Sequence, residues 1–283
     1  MKIAFLGLGR MGTELALKLV NDHEDHELTV WNRTASKTEP LVAAGARAAA
    51  TPKEAVEGAE LVITSLFGPE QVREVVIEPG LIAPDVTWAD STTISPADAA
   101  EFAAAVPGFV HTPVVGTLPP ARAGKLGVYV GGADAYRRHV VAQTVAPWSA
   151  ANPERLREVD TAAKAAVGKL LANLALAVSL EGFREALDLG LSQGLSESEV
   201  VSMLSSTGLE FIVNMKAPFL LGERDVDPGD FSVDAIAKDA RLMLDAADTD
   251  LPAVAAALRS LEAQQAAGNG DKDLSSVVVH RDV

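Results

Sequence analysis

The chain has 283 residues, no cysteine, and 24 Lys and Arg against 39 Asp and Glu, a formal net charge of −15. At roughly 150 residues per domain the length suggests about two domains, large enough to bury their cores without metals or disulfides. The missing cysteines exclude thiolate zinc sites, Fe–S clusters and a Cys nucleophile, and the acidic balance argues against a general grip on nucleic acid or an anionic membrane, though not against a small anion that feels local charge.

In chain order, the first half alternates apolar runs with helical stretches. Strands are predicted over Lys2–Leu6, Leu28–Trp31, Leu61–Ser65, Thr87–Ala89, Phe109–Val114 and Gly127–Val130. Helices are predicted over Met11–Asn21, Pro52–Glu57, Glu70–Val76, Pro96–Val106 and Ala135–Val145. This alternation reads as βαβ units and a parallel sheet. Pro96 after Ser95 is a good helix start. The apolar run Ile3–Leu8 is too short for a signal h-region or a membrane span, and no A-x-A-like site follows it. A soluble, cytoplasmic protein is the expectation.

The pattern changes near Pro153. Thr161–Leu189 is Ala/Leu-rich and free of proline. It predicts one helix of about 28 residues, or ~42 Å, buried centrally because it is apolar nearly all round. Further helices are predicted over Ser196–Ser205, Leu209–Lys216, Val233–Ala247 and Pro252–Ala267. The expected division is an α/β domain over 1–160 and an all-α domain over 161–283.

Gly7-Leu8-Gly9-Arg10-Met11-Gly12 is a G-x-G-x-x-G between a predicted strand and a predicted helix. That context is what the dinucleotide-binding fingerprint of a Rossmann domain requires. Gly7 permits the tight turn, Gly9 lets a pyrophosphate approach the backbone, and Gly12 lets the helix pack close to the strand. The helix N-terminus then offers N–H groups and partial positive charge. About 20 residues on, a carboxylate would bind the ribose 2′-OH of NAD. Asn32 holds that place, followed by Arg33, Thr34 and Lys37. Without a carboxylate, and with two cations and a hydroxyl, the turn suits a 2′-phosphate, so NADP(H) is the expected cofactor.

On the long helix, Lys169 and Asn173 are spaced i, i+4 in an otherwise apolar stretch. That spacing puts them on one face, with Cβ atoms about 6 Å apart. Such a lysine either snorkels to solvent or faces a site. If buried, its pKa falls from the ordinary ~10.4, which suits acid–base work.

These features together resemble the β-hydroxyacid dehydrogenase family, the 3-hydroxyisobutyrate dehydrogenase and tartronate semialdehyde reductase type related to 6-phosphogluconate dehydrogenase. The resemblance runs through Gly7–Gly12, Asn32-Arg33-Thr34 and Asp90-Ser91-Thr92-Thr93-Ile94-Ser95-Pro96. It continues through Pro113-Val114-Val115-Gly116, Lys169-x-x-x-Asn173, Phe231 with Lys238-Asp239, and the tail Gly270-Asp271-Lys272-Asp273. It implies that Lys169 is the general acid/base, that Asn173 orients the substrate, and that Lys238 approaches cofactor and substrate. Leu66, Phe67 and Thr92 would line the cofactor, with Ser91, Val115, Gly116 and Thr117 toward the substrate. The implied reaction is reversible hydride transfer between NADP(H) and a short 3-hydroxyacid or its semialdehyde or keto partner. The implied architecture is an α/β Rossmann domain followed by an all-α domain with a long central helix.

The chain departs from the family pattern in the loop that binds the substrate carboxylate. Val115 replaces a serine, Thr117 a glycine and Pro120 a further glycine; His111-Thr112 stands in place of Asp-Ala, and Ala163 and Ala165 replace a G-x-G ahead of Lys169. A lost hydrogen bond to a charged group costs roughly 1.5–3 kcal/mol. The added methyls are expected to narrow the approach to the helix. Arg122 and Lys125 are expected to be solvated rather than anion-binding. An imine or other carbonyl reductase on the same scaffold is therefore the alternative, and a non-catalytic NADPH-binding interaction module the alternative of another class. Arg33 and Lys37 at one end and Lys169 and Lys238 at the other are expected to form cationic patches. No metal, nucleic-acid or membrane partner is expected. The long apolar helix implies a homodimer or higher homo-oligomer, with active sites in the interdomain cleft.

Overall fold

The computed structural model describes residues 1–22 and 26–281. The chain divides into two compact units, Met1–Leu170 and Leu171–Val283. The division falls inside one continuous helix, Ala162–Ser192.

The first unit is built on a nine-stranded sheet. Its strands are β1 (Lys2–Leu6), β2 (Glu27–Trp31), β3 (Arg47–Ala48), β4 (Leu61–Thr64), β5 (Thr87–Asp90), β6 (Phe109–His111), β7 (Val114–Val115), β8 (Gly127–Gly131) and β9 (Leu156–Val159). Their order is β3-β2-β1-β4-β5-β6-β8-β7, with β9 beside β8. From β3 to β6 all pairs are parallel, the doubly wound order of a dinucleotide-binding fold. The sheet is not parallel throughout: β8 runs antiparallel to β6 and β7. The apolar run Phe109–Val114 is also two strands rather than one. Pro113 has no N–H to give the ladder, so the chain breaks there.

Period-two alternation sorts the strand residues onto two faces. On one face Ile3, Phe5, Leu61, Ile63, Ala89 and Val110 pack with Leu15, Ala16 and Leu19 of the helix Arg10–Asp22. On the other, Ala4, Leu6, Val62, Trp88 and Phe109 pack with Phe102 of the helix Pro96–Ala105. That second helix starts where Ser95 and Pro96 predict. Ser95 Oγ accepts from the Asp98 N–H at 3.0 Å, and the Asp98 carboxylate accepts from the Ser95 N–H at 3.0 Å. Arg73 binds Asp98 and Glu101, joining the helix after β4 to the helix after β5.

The long helix is not buried along its whole length. Ala162, Ala165 and Ala166 are buried, but Val167 and Leu171 are 42% and 61% exposed. A 3.6-residue period gives any single helix an outward stripe, and here that stripe is apolar.

The second unit adds the helices Glu197–Leu204, Glu210–Leu220, Val233–Ala246, Pro252–Ala266 and Ser276–Val279. Its tail is held by a fully buried ion pair, Lys216 Nζ to Asp273 Oδ1 at 2.7 Å. The same carboxylate accepts from the N–H groups of Ser275, Asp230 and Phe231. Burial raises the Asp273 pKa, but the Lys216 ammonium and the Ser275 hydrogen bonds outweigh it and hold the carboxyl below its usual range. Its contribution to stability is therefore present above the unfolded-state value of ~3.9 and is lost as pH falls through the lower folded value. Lys216→Met, which strands the buried carboxylate, should cost about 3–5 kcal/mol of unfolding free energy at pH 7. Urea denaturation measures this, and the deficit should narrow on acidification as the stranded carboxylate takes up a proton.

Candidate active site

The glycine turn follows β1 directly. Gly7 has φ +100°, and its N–H donates to Trp31 O at 2.9 Å. A Cβ at Gly7 would lie 2.3 Å from Ser65 O, and one at Gly12 would lie 2.1 Å from Gly7 O. Both glycines are therefore fixed by packing. A Cβ at Gly9 would meet nothing within 4 Å. The backbone is open there, at the start of the helix Arg10–Asp22, and that is where a pyrophosphate group fits. Arg10 is exposed and Met11 half-buried beside it.

Asn32 does more than leave out a carboxylate. Its Oδ1 accepts from the Leu8 N–H at 2.8 Å, and its Nδ2 donates to Thr34 O at 3.1 Å. One side chain thus ties the glycine turn to the turn after β2. Arg33, Thr34 and Lys37 stand exposed on that second turn.

Two more turns meet at the carboxyl ends of β4 and β5. The Leu66 N–H donates to Thr92 Oγ1 at 3.0 Å, and the Thr92 N–H donates to Asp90 Oδ1 at 3.2 Å. Ser91 is buried beside them, and Phe67 is 54% exposed. In the loop after β7, Gly116 has φ +143°, and a Cβ there would lie 2.6 Å from a Leu126 methyl. Val115 is half-buried and ends β7. Thr117 makes no capping hydrogen bond to the short helix Leu118–Arg122. Arg122 is not merely solvated: it pairs with Glu14 at 2.7 Å.

Lys169 is 8% exposed. It continues the stripe of Ala162 and Ala166, which pack in the cluster of Trp88, Phe102 and Phe109. The methyl expected to crowd the approach here is accommodated elsewhere. Ala165 is buried over Gly131, where a Cβ would lie 2.7 Å from the Ala165 methyl. One turn after Lys169, in the second unit, Asn173 donates through Nδ2 to Asp239 Oδ2 at 2.6 Å. Lys238 Nζ lies 2.7 Å from Asp239 Oδ1. Lys238 is thus partly neutralised rather than part of a bare cationic patch. Asp239 is the residue that sequence reasoning passed over. It was visible only as the second letter of Lys238-Asp239, and its partner Asn173 is 66 residues away.

Comparison with known proteins matches this arrangement over nearly the whole chain. Residues 2–145 match the NAD-binding domain of 6-phosphogluconate dehydrogenase. Residues 163–280 match the NAD-binding domain of NADP-dependent 3-hydroxyisobutyrate dehydrogenase. Glyoxylate/succinic semialdehyde reductase 1 of Arabidopsis thaliana is 27% identical over 98% of this chain and 97% of that protein. The NAD-dependent L-serine dehydrogenase of Pseudomonas aeruginosa is 31% identical over 98% of this chain and 96% of its own length. The structure of Mycobacterium tuberculosis 3-hydroxyisobutyrate dehydrogenase with L-serine superposes with a TM-score of 0.84 at 26% identity, covering 100% of this chain and 99% of that one. The first unit is a pyridine-nucleotide-binding domain.

The two glycine environments separate binding from folding. Gly9→Ala should leave the thermal midpoint within about 1 °C of the parent while weakening pyridine-nucleotide binding at least ~10-fold by titration calorimetry. Gly12→Ala should instead lower stability by about 1–3 kcal/mol or more in denaturant melts, because its methyl collides with backbone.

Proposed function

Because the chain belongs to the β-hydroxyacid dehydrogenase family, we propose that it is an NADP(H)-dependent oxidoreductase acting on a short 3-hydroxyacid or its semialdehyde or keto partner. The observation that carries this reading is the buried Lys169, one helical turn from an Asn173 whose amide is held by Asp239.

The bound cofactor supplies the hydride donor or acceptor, and the chain supplies the rest. Backbone N–H groups after Gly9 take the pyrophosphate, and Arg33 and Lys37 take the 2′-phosphate. In reduction, Lys169 Nζ gives its proton to the developing alkoxide, and its charge stabilises that oxygen. In oxidation the neutral amine takes the hydroxyl proton. Asn173, its amide pinned through Nδ2, presents Oδ1 to orient the substrate. Val115 favours a second reading, a reductase of less acidic carbonyls or imines, because it brings a methyl pair where a carboxylate-binding hydroxyl is expected. The exposed apolar stripe of Val167 and Leu171 supports a homodimer or larger homo-oligomer.

Lys169→Ala should lower turnover at least ~100-fold while NADPH affinity stays within about threefold, measured by steady-state kinetics and fluorescence titration. Arg33→Ala should weaken NADPH binding ~10-fold or more and leave NADH binding unchanged, read by calorimetry. Gel filtration at micromolar concentration should give at least twice the 29.5 kDa chain mass; a single-chain species contradicts the assembly.

A further inference from the structure

Thr64, Asp90 and His111 occupy one rung across β4, β5 and β6, each the last residue of its strand. Side chains on one rung of a sheet point to the same face. In an open α/β sheet the carboxyl ends of the strands are where ligands bind. All three residues are fully buried.

Most of the polar capacity of this rung is spent. Trp88 Nε1 donates to Thr64 Oγ1 at 2.9 Å, and Thr64 Oγ1 donates to Asp90 Oδ1 at 2.6 Å. The Thr92 N–H makes a second bond to that oxygen. The other carboxylate oxygen is different. Asp90 Oδ2 has no hydrogen bond, and His111 Nδ1 lies 3.6 Å from it. Neither His111 ring nitrogen has a hydrogen-bond partner, and neither does Ser91 Oγ. Four of the ten such buried atoms among the described residues therefore lie at the carboxyl ends of these two strands. A buried polar group left without a partner is costly, so a cluster of them at one strand edge calls for an explanation. The imidazole stands beside Phe109, with ring centroids 6.2 Å apart and planes 17° from parallel.

We propose that His111 and Asp90 are a positioning pair for the reaction. His111 Nδ1–H would hold Asp90 Oδ2, and Asp90 in turn holds Thr92 and, through Thr92 Oγ1, the Leu66 turn that would line the cofactor. The pair does not touch the reacting atoms; it sets the register of the two turns that would border the cofactor. At 3.6 Å the two atoms lie outside the ~2.7–3.2 Å of a formed N–H···O bond, and in this proposal the bond closes when a ligand bears on Thr92. The role rests on the cofactor reading above.

Two variants and one spectrum test the pair. His111→Phe keeps the aromatic packing and removes the donor, while His111→Asn keeps a donor at the position of Nδ1. The expected result is a kcat at least tenfold lower for His111→Phe with a short semialdehyde, and an NADPH dissociation constant within threefold of the parent. His111→Asn should recover kcat to within about threefold, and both variants should keep the parental melting temperature to within a few degrees. In ¹⁵N-histidine spectra, NADP⁺ should move the His111 Nδ1 resonance of the parent, assigned by its loss in His111→Phe. If NADP⁺ binds, the resonance stays still and His111→Phe turns over normally, the pair has no such role while the cofactor reading stands. Equal loss of rate and stability in both variants overturns it as well, by making His111 merely structural. If the parent fails to bind NADP⁺ at all, the cofactor reading falls, and the pair falls with it.

Discussion

A buried carboxylate has to be matched by hydrogen-bond donors, and Asp90 meets that requirement at one oxygen, Oδ1, by organising the carboxyl edge of the sheet. Its Oδ1 gathers the Thr64 hydroxyl and the Thr92 N–H, and Thr92 passes the constraint on to the Leu66 turn. The turns after β4 and β5 are thus set by one side chain rather than by two independent loops. Asn32 plays the matching part on the other side of β1, where it joins the glycine turn to the turn after β2. In both places a polar side chain at a strand end fixes backbone that a ligand can then use without reorganisation, which is the basis of preorganised binding and catalysis.

The net charge of −15 describes the solvent-facing surface and not the chemistry. Arg33 and Lys37 stand exposed on the β2 turn. The other notable cations are committed internally. Lys216 is spent on Asp273, Arg122 on Glu14, and Lys238 leans on Asp239. Local fields at short range outweigh a diffuse acidic surface screened over ~8–10 Å. An acidic molecule can therefore bind a strongly anionic dinucleotide.

Much of the first unit was legible because its elements are governed by local chemistry. Gly7, Gly9 and Gly12 declare a tight turn, and Ser95-Pro96 declares a helix start that is present where expected. The two-residue strands β3 and β7 and the strand β9 were not legible. β3 and β7 are too short for a period, β9 is largely polar at its centre, and the pairing of all three depends on residues far along the chain. The reversal at β8 was hidden for the same reason. In the site, the spacing of Lys169 and Asn173 could be read, since one helical turn is local. The Asn173–Asp239 bond could not, since it joins two helices. The Thr64–Asp90–His111 rung lay between these cases. Each residue begins a polar stretch at the end of an apolar run, which is a signal, but only strand order places them side by side. The outward apolar stripe of the long helix was misread as core because composition shows that a face is apolar and not what covers it.

The central claim is that this chain moves a hydride directly between a nicotinamide ring and a carbonyl carbon, with Lys169 supplying the proton from the protein. Turnover of a short semialdehyde with NADPH deuterated at C4 on the transferred face, followed by mass spectrometry of the product, tests it most directly. The account predicts one deuterium on the carbinol carbon of the product, and none on that carbon when unlabelled NADPH is used in heavy water. A product whose carbinol carbon takes its label from the solvent, or carries none from the cofactor, would contradict it.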